Sequence, residues 1–207
     1  MELSHRVFLK VGSLLLDYPD YQWRQDLNKA RLALSEFLDM PQAQAGIKSL
    51  EGLAGLEPFE LESHYVQLFD FSDKRNLYLT RQEVGDDRRR GQRMVEQQQV
   101  LFEGQCAILD NTLPDYLPAW LEYLGVAQTE PPGIAGRVAY ALTRIIKEVS
   151  TESPYYQLLQ WLLTLLPQPD GSLAKEARPT DEERDMPFPL LHGDLEEPSN
   201  IWEVPRR

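Results

Sequence analysis

At 207 residues, 42% of them hydrophobic, the chain is long enough to bury a substantial core as one domain with or without a tail. Its 21 basic residues stand against 33 acidic ones, and a net charge of −12 argues against nucleic acid as a partner. The same acidity either serves solubility or favours encounter with a basic segment. A single cysteine, Cys106, excludes an internal disulfide and a cysteine-rich metal site, and on an apolar helix it reads as a small buried hydrophobe.

Helical periodicity runs through the chain and strand alternation is almost absent. Val7, Phe8, Val11, Leu14 and Leu15 trace a first apolar stripe that stops at Asp17-Tyr-Pro-Asp20. Trp23, Leu27, Ala30, Leu34, Phe37 and Leu38 trace a second, ended at Met40-Pro41 because a residue before proline avoids the helical region. Ile47, Leu50 and Leu53 make a short third. Pro58 opens a fourth that carries Leu61, Tyr65, Leu68 and Phe69. From Asp70 to Gly85 the chain is polar and irregular, with Leu77-Tyr-Leu79 as an apolar island. A fifth helix holds Met94, Val95, Gln98, Leu101 and Phe102, and a sixth starts on Pro114-Asp115 and places Leu117, Trp120, Leu121 and Leu124 on one face. Ile134 to Val149 forms a seventh, and Ser153-Pro154 opens an eighth that ends at Leu166-Pro167. Amphipathic helices joined by short loops predict an all-α, single-domain bundle of about eight helices.

Composition shifts at Pro167. The last segment holds seven of the 15 prolines and no periodic stripe, so the chain divides into a helical domain, 1–166, and an acidic Pro-rich tail, 167–207. Phe188-Pro-Leu-Leu191 and Ile201-Trp202 are apolar knots, so residues 186–202 are expected to lie against the helical body or a second copy of the chain; a disordered spacer is the competing reading.

The usual catalytic and cofactor signatures are missing. No Gly-rich loop is followed by Lys-Ser or Lys-Thr, and Gly133-Ile-Ala-Gly136 lacks the strand that a dinucleotide site needs. His5, His64 and His192 lie far apart and fit no metal spacing. Nothing assembles a nucleophile, a base and an orienting group, so neither catalysis nor a resident cofactor or metal is expected. The N-terminus Met1-Glu-Leu-Ser-His-Arg has no basic region before a long apolar core, and no apolar stretch approaches the ~20 residues that span a bilayer. A cytoplasmic protein without membrane insertion is expected.

One charge cluster stands out. Arg88-Arg-Arg90 follows Asp86-Asp87 at the start of the fifth helix, where arginines oppose the positive end of the helix dipole. Compensation comes either from carboxylates of the fold or from an anionic ligand, and at least one arginine is expected to pair inside the fold.

Four segments together resemble a known family. They are Leu14-Leu-Leu-Asp-Tyr-Pro-Asp20, Tyr65-Val-Gln-Leu-Phe-Asp70, Gly85 through Arg88-Arg-Arg-Gly-Gln-Arg-Met-Val95, and Leu113-Pro-Asp-Tyr-Leu-Pro-Ala-Trp-Leu-Glu-Tyr-Leu124. In composition and order they are similar to the NarJ branch of the TorD/DmsD/NarJ chaperones, which mature molybdenum-containing respiratory oxidoreductases. The resemblance implies an all-α fold, no catalysis, and binding of the N-terminal segment of a catalytic subunit before molybdenum cofactor insertion. Nitrate reductase is the commonest client of this branch; selenate, perchlorate, dimethyl sulfide and ethylbenzene enzymes are others. Many members carry histidine after the Pro-Asp pair, where this chain has Tyr116. Cofactor-delivery proteins and a second copy of the chain are further candidate partners, and a stoichiometric structural subunit of the reductase is the alternative role.

Physical chemistry suggests how such a client would be held. Tyr65, Leu68, Phe69, Tyr116, Leu117 and Trp120 are expected to line a groove for the apolar face of a client helix, or else to be core. Pro114 opens that segment, and Asp70, Asp115 and Glu122 are expected to form an acidic rim. Of the first group, Leu68 is expected to be more buried than Tyr65 or Phe69.

Overall fold

The computed structural model describes residues 2–84, 89–104, 112–127, 133–169 and 171–173. Helix α1, Leu3–Leu16, is the central strut. Helices α2, Tyr21–Ser35, and α3, Pro41–Ala54, form an antiparallel pair beside it. Each starts where the sequence offers a device for it. Asp20 accepts a hydrogen bond from the Trp23 amide (2.8 Å), and Pro41 takes the first turn of α3, where no N–H is needed. Helix α4, Pro58–Tyr65, continues without a break into a π-helical turn, Val66–Asp70. After the irregular segment 71–78 come α5, Leu79–Val84, and α6, Arg89–Glu103. Helix α7, Leu117–Val126, α8, Ile134–Lys147, and α9, Pro154–Thr164, complete the described body.

The all-α expectation holds, with two corrections. The stretch read as wholly irregular between Asp70 and Gly85 contains the short helix α5, so the described residues carry nine α-helices rather than eight. Leu79 and Thr80 start that helix fully buried, and its Gln82 and Glu83 are buried too. Polar residues therefore masked a core-facing helix. The sixth predicted helix begins at Leu117, not Pro114, with Pro118 in its first turn. Pro114 and Asp115 form a turn closed by Tyr116 N to Leu113 O (3.1 Å), and it delivers Tyr116 into an antiparallel bridge with Tyr78. Both flanking hydrogen bonds are short: Leu79 N to Asp115 O (2.7 Å) and Leu117 N to Leu77 O (2.8 Å).

Helix α1 packs most extensively on α7, and small residues bring the two close. A Cβ at Gly125 would stand 3.0 Å from the Arg6 carbonyl oxygen, tighter than ordinary contact. Ser13 Oγ donates to Pro118 O (2.8 Å), and Arg6 donates to Ala127 O (3.0 Å), fixing the seam at both ends. On its other side α1 receives α9, whose Leu162 occupies the space beside Gly12. Phe8, Leu15, Leu16, Leu61, Trp120, Leu142, Tyr155 and Leu158 join these layers into one core. Beyond α9, Leu173 is also buried. The apolar knots of the tail, like Cys106, Asp86 and Asp87, lie outside the described residues.

Candidate functional site

The site starts from the end of α4. Tyr65, Phe69 and Tyr155 pack edge to face with centroids 5.0 to 5.8 Å apart, and Tyr18 meets Tyr65 in the same way at 5.4 Å. This cluster turns the aromatic stripe into a wall whose back is core and whose polar edge is open. A regular helix would carry Asp70 about one turn above Val66; the π-turn widens that step, with Phe71 N reaching back to Val66 O (3.3 Å). Asp70 is thereby exposed at the same opening as the Tyr65 hydroxyl.

That opening is a cleft of about 270 Å³ lined by Asp17, Tyr18, Tyr65, Asp70, Leu77, Tyr78, Thr112, Leu113 and Tyr116. Its polar edge is a directed chain. Tyr116 donates its proton to Asp17 Oδ1 (2.9 Å), since a carboxylate only accepts, and so receives at its own oxygen the Tyr65 hydroxyl (2.9 Å). Burial pushes the Tyr65, Tyr78 and Tyr116 hydroxyls up from their ordinary value, so all three remain donors at neutral pH. The Asp70 carboxyl is also raised, again by partial burial. None of the described lining residues is basic, and no described cation pairs with Asp17 or Asp70. The cleft is anionic with an aromatic and aliphatic rim: Tyr18 and Leu113 are exposed, and Phe71 beside it is 81% exposed.

The structure divides the sequence-predicted residues into three groups. Tyr65, Asp70 and Tyr116 meet at this cleft. Leu68, Phe69, Leu117 and Trp120 are buried behind it as core, and Phe69 (1% exposed) and Tyr65 (3%) are more buried than Leu68 (8%). The expected order within that trio is therefore reversed, because the π-turn rotates Phe69 inward against Tyr155. Pro114 is half-buried, and its carbonyl accepts the Trp120 indole N–H (3.0 Å).

Asp115 does not belong to a rim. It is fully buried, with Oδ2 accepting from Thr80 Oγ1 and paired with Arg90 at 3.5 Å. This is the internal compensation that the arginine run required. Arg89 is exposed, and Arg88 lies outside the described residues. Glu122 is exposed on a different groove, between α1, α2 and α7, beside Lys10, Val11 and Ala33.

Asp17, Tyr18, Leu77, Tyr78, Thr112 and Leu113 also line the cleft and were missed as site residues. The Asp-Tyr-Pro-Asp stop and the Leu77-Tyr-Leu79 island were both visible. An aromatic island in a polar stretch is the signal that could have found one wall. What joins them is the Tyr78–Tyr116 bridge, a long-range pairing.

Among the described residues no three His, Cys, Asp or Glu side chains cluster as metal ligands, and no helix is long and apolar enough to cross a membrane. The fold and cleft are those of an all-α protein with an acidic, tyrosine-lined opening on its surface. No family model matches the chain. Individual proteins do. The chain is 30% identical over 168 residues to the probable nitrate reductase molybdenum cofactor assembly chaperone NarJ of Bacillus subtilis, covering 79% of this chain and 90% of that one. It is 31% identical over 182 residues to NarJ of Escherichia coli K12, a nitrate reductase molybdenum cofactor assembly chaperone, covering 86% and 77%. The probable chaperone NarW of the same organism is 29% identical over 186 residues, covering 86% and 75%. The chain belongs to the NarJ family of molybdenum cofactor assembly chaperones.

Proposed function

We propose that this chain assists assembly of the molybdenum cofactor of a nitrate reductase by holding the N-terminal segment of the catalytic subunit at the Asp17–Asp70 cleft. Kinship with NarJ chaperones over most of the chain supports the chaperone role rather than a structural subunit. The observation that carries the binding mode is the cleft itself: two carboxylates that pair with no described cation, a row of tyrosine donors and an apolar rim. The matching occupant is an amphipathic segment that places a Lys or Arg between Asp17 and Asp70 and apolar side chains over Tyr18, Leu113 and Phe71. Tyrosine faces beside those carboxylates add attraction for the same cation. Leu68, Phe69, Leu117 and Trp120 act from behind, as the packed support of the wall. A client segment that orders only on binding loses entropy, which keeps affinity moderate and release ready, as a chaperone requires.

Calorimetric titration of a synthetic peptide from the N-terminus of the reductase catalytic subunit tests this. The expected result is micromolar or tighter binding with a negative heat-capacity change, weakened by Asp17→Asn with Asp70→Asn. In cells lacking the chain, the reductase should be made but contain little molybdenum, and the purified mature enzyme should not retain the chain in fixed stoichiometry. Binding unaffected by loss of both carboxylates would move the client to another face.

A further inference from the structure

The π-turn leaves carbonyls that its own helix does not use, and one of them is claimed by a side chain from the next segment. Arg75 Nε donates to Leu68 O (3.0 Å), in the middle of Val66–Asp70. Through NH1 the same guanidinium donates to Glu148 O (3.3 Å), at the C-terminal end of α8. The turn around Arg75 is built to hold it there. Its amide and that of Asn76 both return to Ser72 O (3.3 and 3.0 Å). The Asn76 side chain donates to Asp73 O (2.6 Å) and accepts from Tyr78 N (3.2 Å). Gln82 Nε2 contacts both Lys74 O and Asn76 O, tying the turn to α5.

Two walls of the cleft therefore hang from one side chain. Asp70 lies two residues after the carbonyl that Arg75 holds, and Leu77 and Tyr78 lie two and three residues after Arg75 itself. We infer that Arg75 is a positioning residue of the client site: it fixes the π-turn against α8 and so sets where the Asp70 carboxylate stands relative to Tyr78 and Asp17. This rests on the cleft reading above. A planar fork with separate donors to two carbonyls is needed, which lysine cannot reproduce. Without Arg75, the Leu68 carbonyl, on a buried residue, loses its partner, and the wide turn loses the contact that favours it over a regular helical turn.

The test is a double-mutant cycle between Arg75→Gln and Asp70→Asn, read by titration with the client peptide. Asp70→Asn alone should weaken binding about tenfold, the loss of one close charge pair. In the Arg75→Gln background the same change should matter less than about twofold, because the carboxylate is no longer in place. Amide exchange at Phe71, whose N–H closes the π-turn, should accelerate in Arg75→Gln without peptide present. Should Arg75→Gln fold poorly, Arg75→Lys keeps the charge and carries the same cycle. Equal Asp70→Asn losses in both backgrounds, with Phe71 exchange unchanged, would overturn the role of Arg75 alone. An Asp70→Asn variant that binds as tightly as the unaltered chain would overturn the cleft reading and this inference with it.

Discussion

Two seams of this bundle are held by opposite means. Between α1 and α7 the contact is close and, apart from the hydrogen bond at each end, apolar: Gly125 admits it, and Leu9, Leu117, Trp120 and Leu124 are each at most 2% exposed. Where α5 meets α6 and α8 the centre is a carboxylate. Glu83 is 1% exposed and receives Arg137 at both oxygens (2.6 and 2.8 Å) and Arg93 at one (3.0 Å). The first seam gains from area removed from water and tolerates small errors of direction. The second has a large desolvation cost, offset only while every partner is in place. Apolar packing supplies stability in the first; in the second, charge pairing fixes which helix lies beside which.

Breaking the charged seam should have the largest effect. Glu83→Ala leaves Arg93 and Arg137 without their shared acceptor, and a loss of about 3–5 kcal/mol in urea unfolding is expected. Replacing all three residues with methionine should recover most of that loss, because a well-packed apolar cluster of similar volume often equals a buried ion network. If the triple replacement were as unstable as Glu83→Ala, the network would be contributing more than mutual compensation. If Glu83→Ala alone cost under about 1 kcal/mol, the network would be behaving as a solvent-screened surface pair and not as a buried one.

A smaller effect belongs to the cleft edge, where the two principles meet. Tyr116→Phe keeps the ring against Tyr78 but deletes the hydroxyl that accepts from Tyr65 and donates to Asp17. The buried Tyr65 hydroxyl keeps only a long contact to Leu16 O (3.4 Å). A stability loss of about 1–2 kcal/mol is expected, together with weaker client binding as Asp17 loses its anchor. Thermal melts beside peptide titrations separate the two. Unchanged binding with lowered stability would make the hydroxyl chain a packing device only.

The contrast between the seams also explains what the sequence could reveal. Stripes such as Phe8, Val11 and Leu15, or Val138, Ala141, Leu142 and Ile145, state their burial by spacing, and those helices were legible. Proline and serine starts at Pro41, Pro58 and Ser153 fixed several ends. Helix α5 was not legible, since Glu83 looks solvated until Arg93 and Arg137 arrive from 10 and 54 positions away, and Gln82 until the Lys74 and Asn76 carbonyls take its amide. Asp115 misled for the same reason: an acidic residue next to Tyr116 reads as rim, yet Thr80 and Arg90 take it inside. The π-turn has no propensity signature, and it decided that Phe69 is core while Asp70 opens on the cleft. For the cleft, sequence supplied Tyr65, Asp70 and Tyr116; long-range pairing supplied the rest.

The smallest effect, and the one that tests the cleft most directly, is a pair of opposed pH trends. Partial burial raises the Asp70 carboxyl above its ordinary 3.8 in the free protein. Between that value and the raised one the native state holds a proton that the unfolded chain has lost. Stability of the free chain therefore falls slightly as pH rises through this window and is flat above it. Asp70→Asn should remove the cost, making the variant a little more stable at neutral pH, with the advantage vanishing below 3.8. Client affinity should run the other way, because a cation beside Asp70 favours the charged form. Binding should strengthen as pH rises through the same window, releasing a proton to buffer, and level off once Asp70 is ionised. Titrations in buffers of different ionisation enthalpy detect that proton. If the unaltered chain and Asp70→Asn share one pH profile for binding, Asp70 does not face the client cation; if the profiles diverge as described, the carboxylate that weakens the free protein is the one that holds its client.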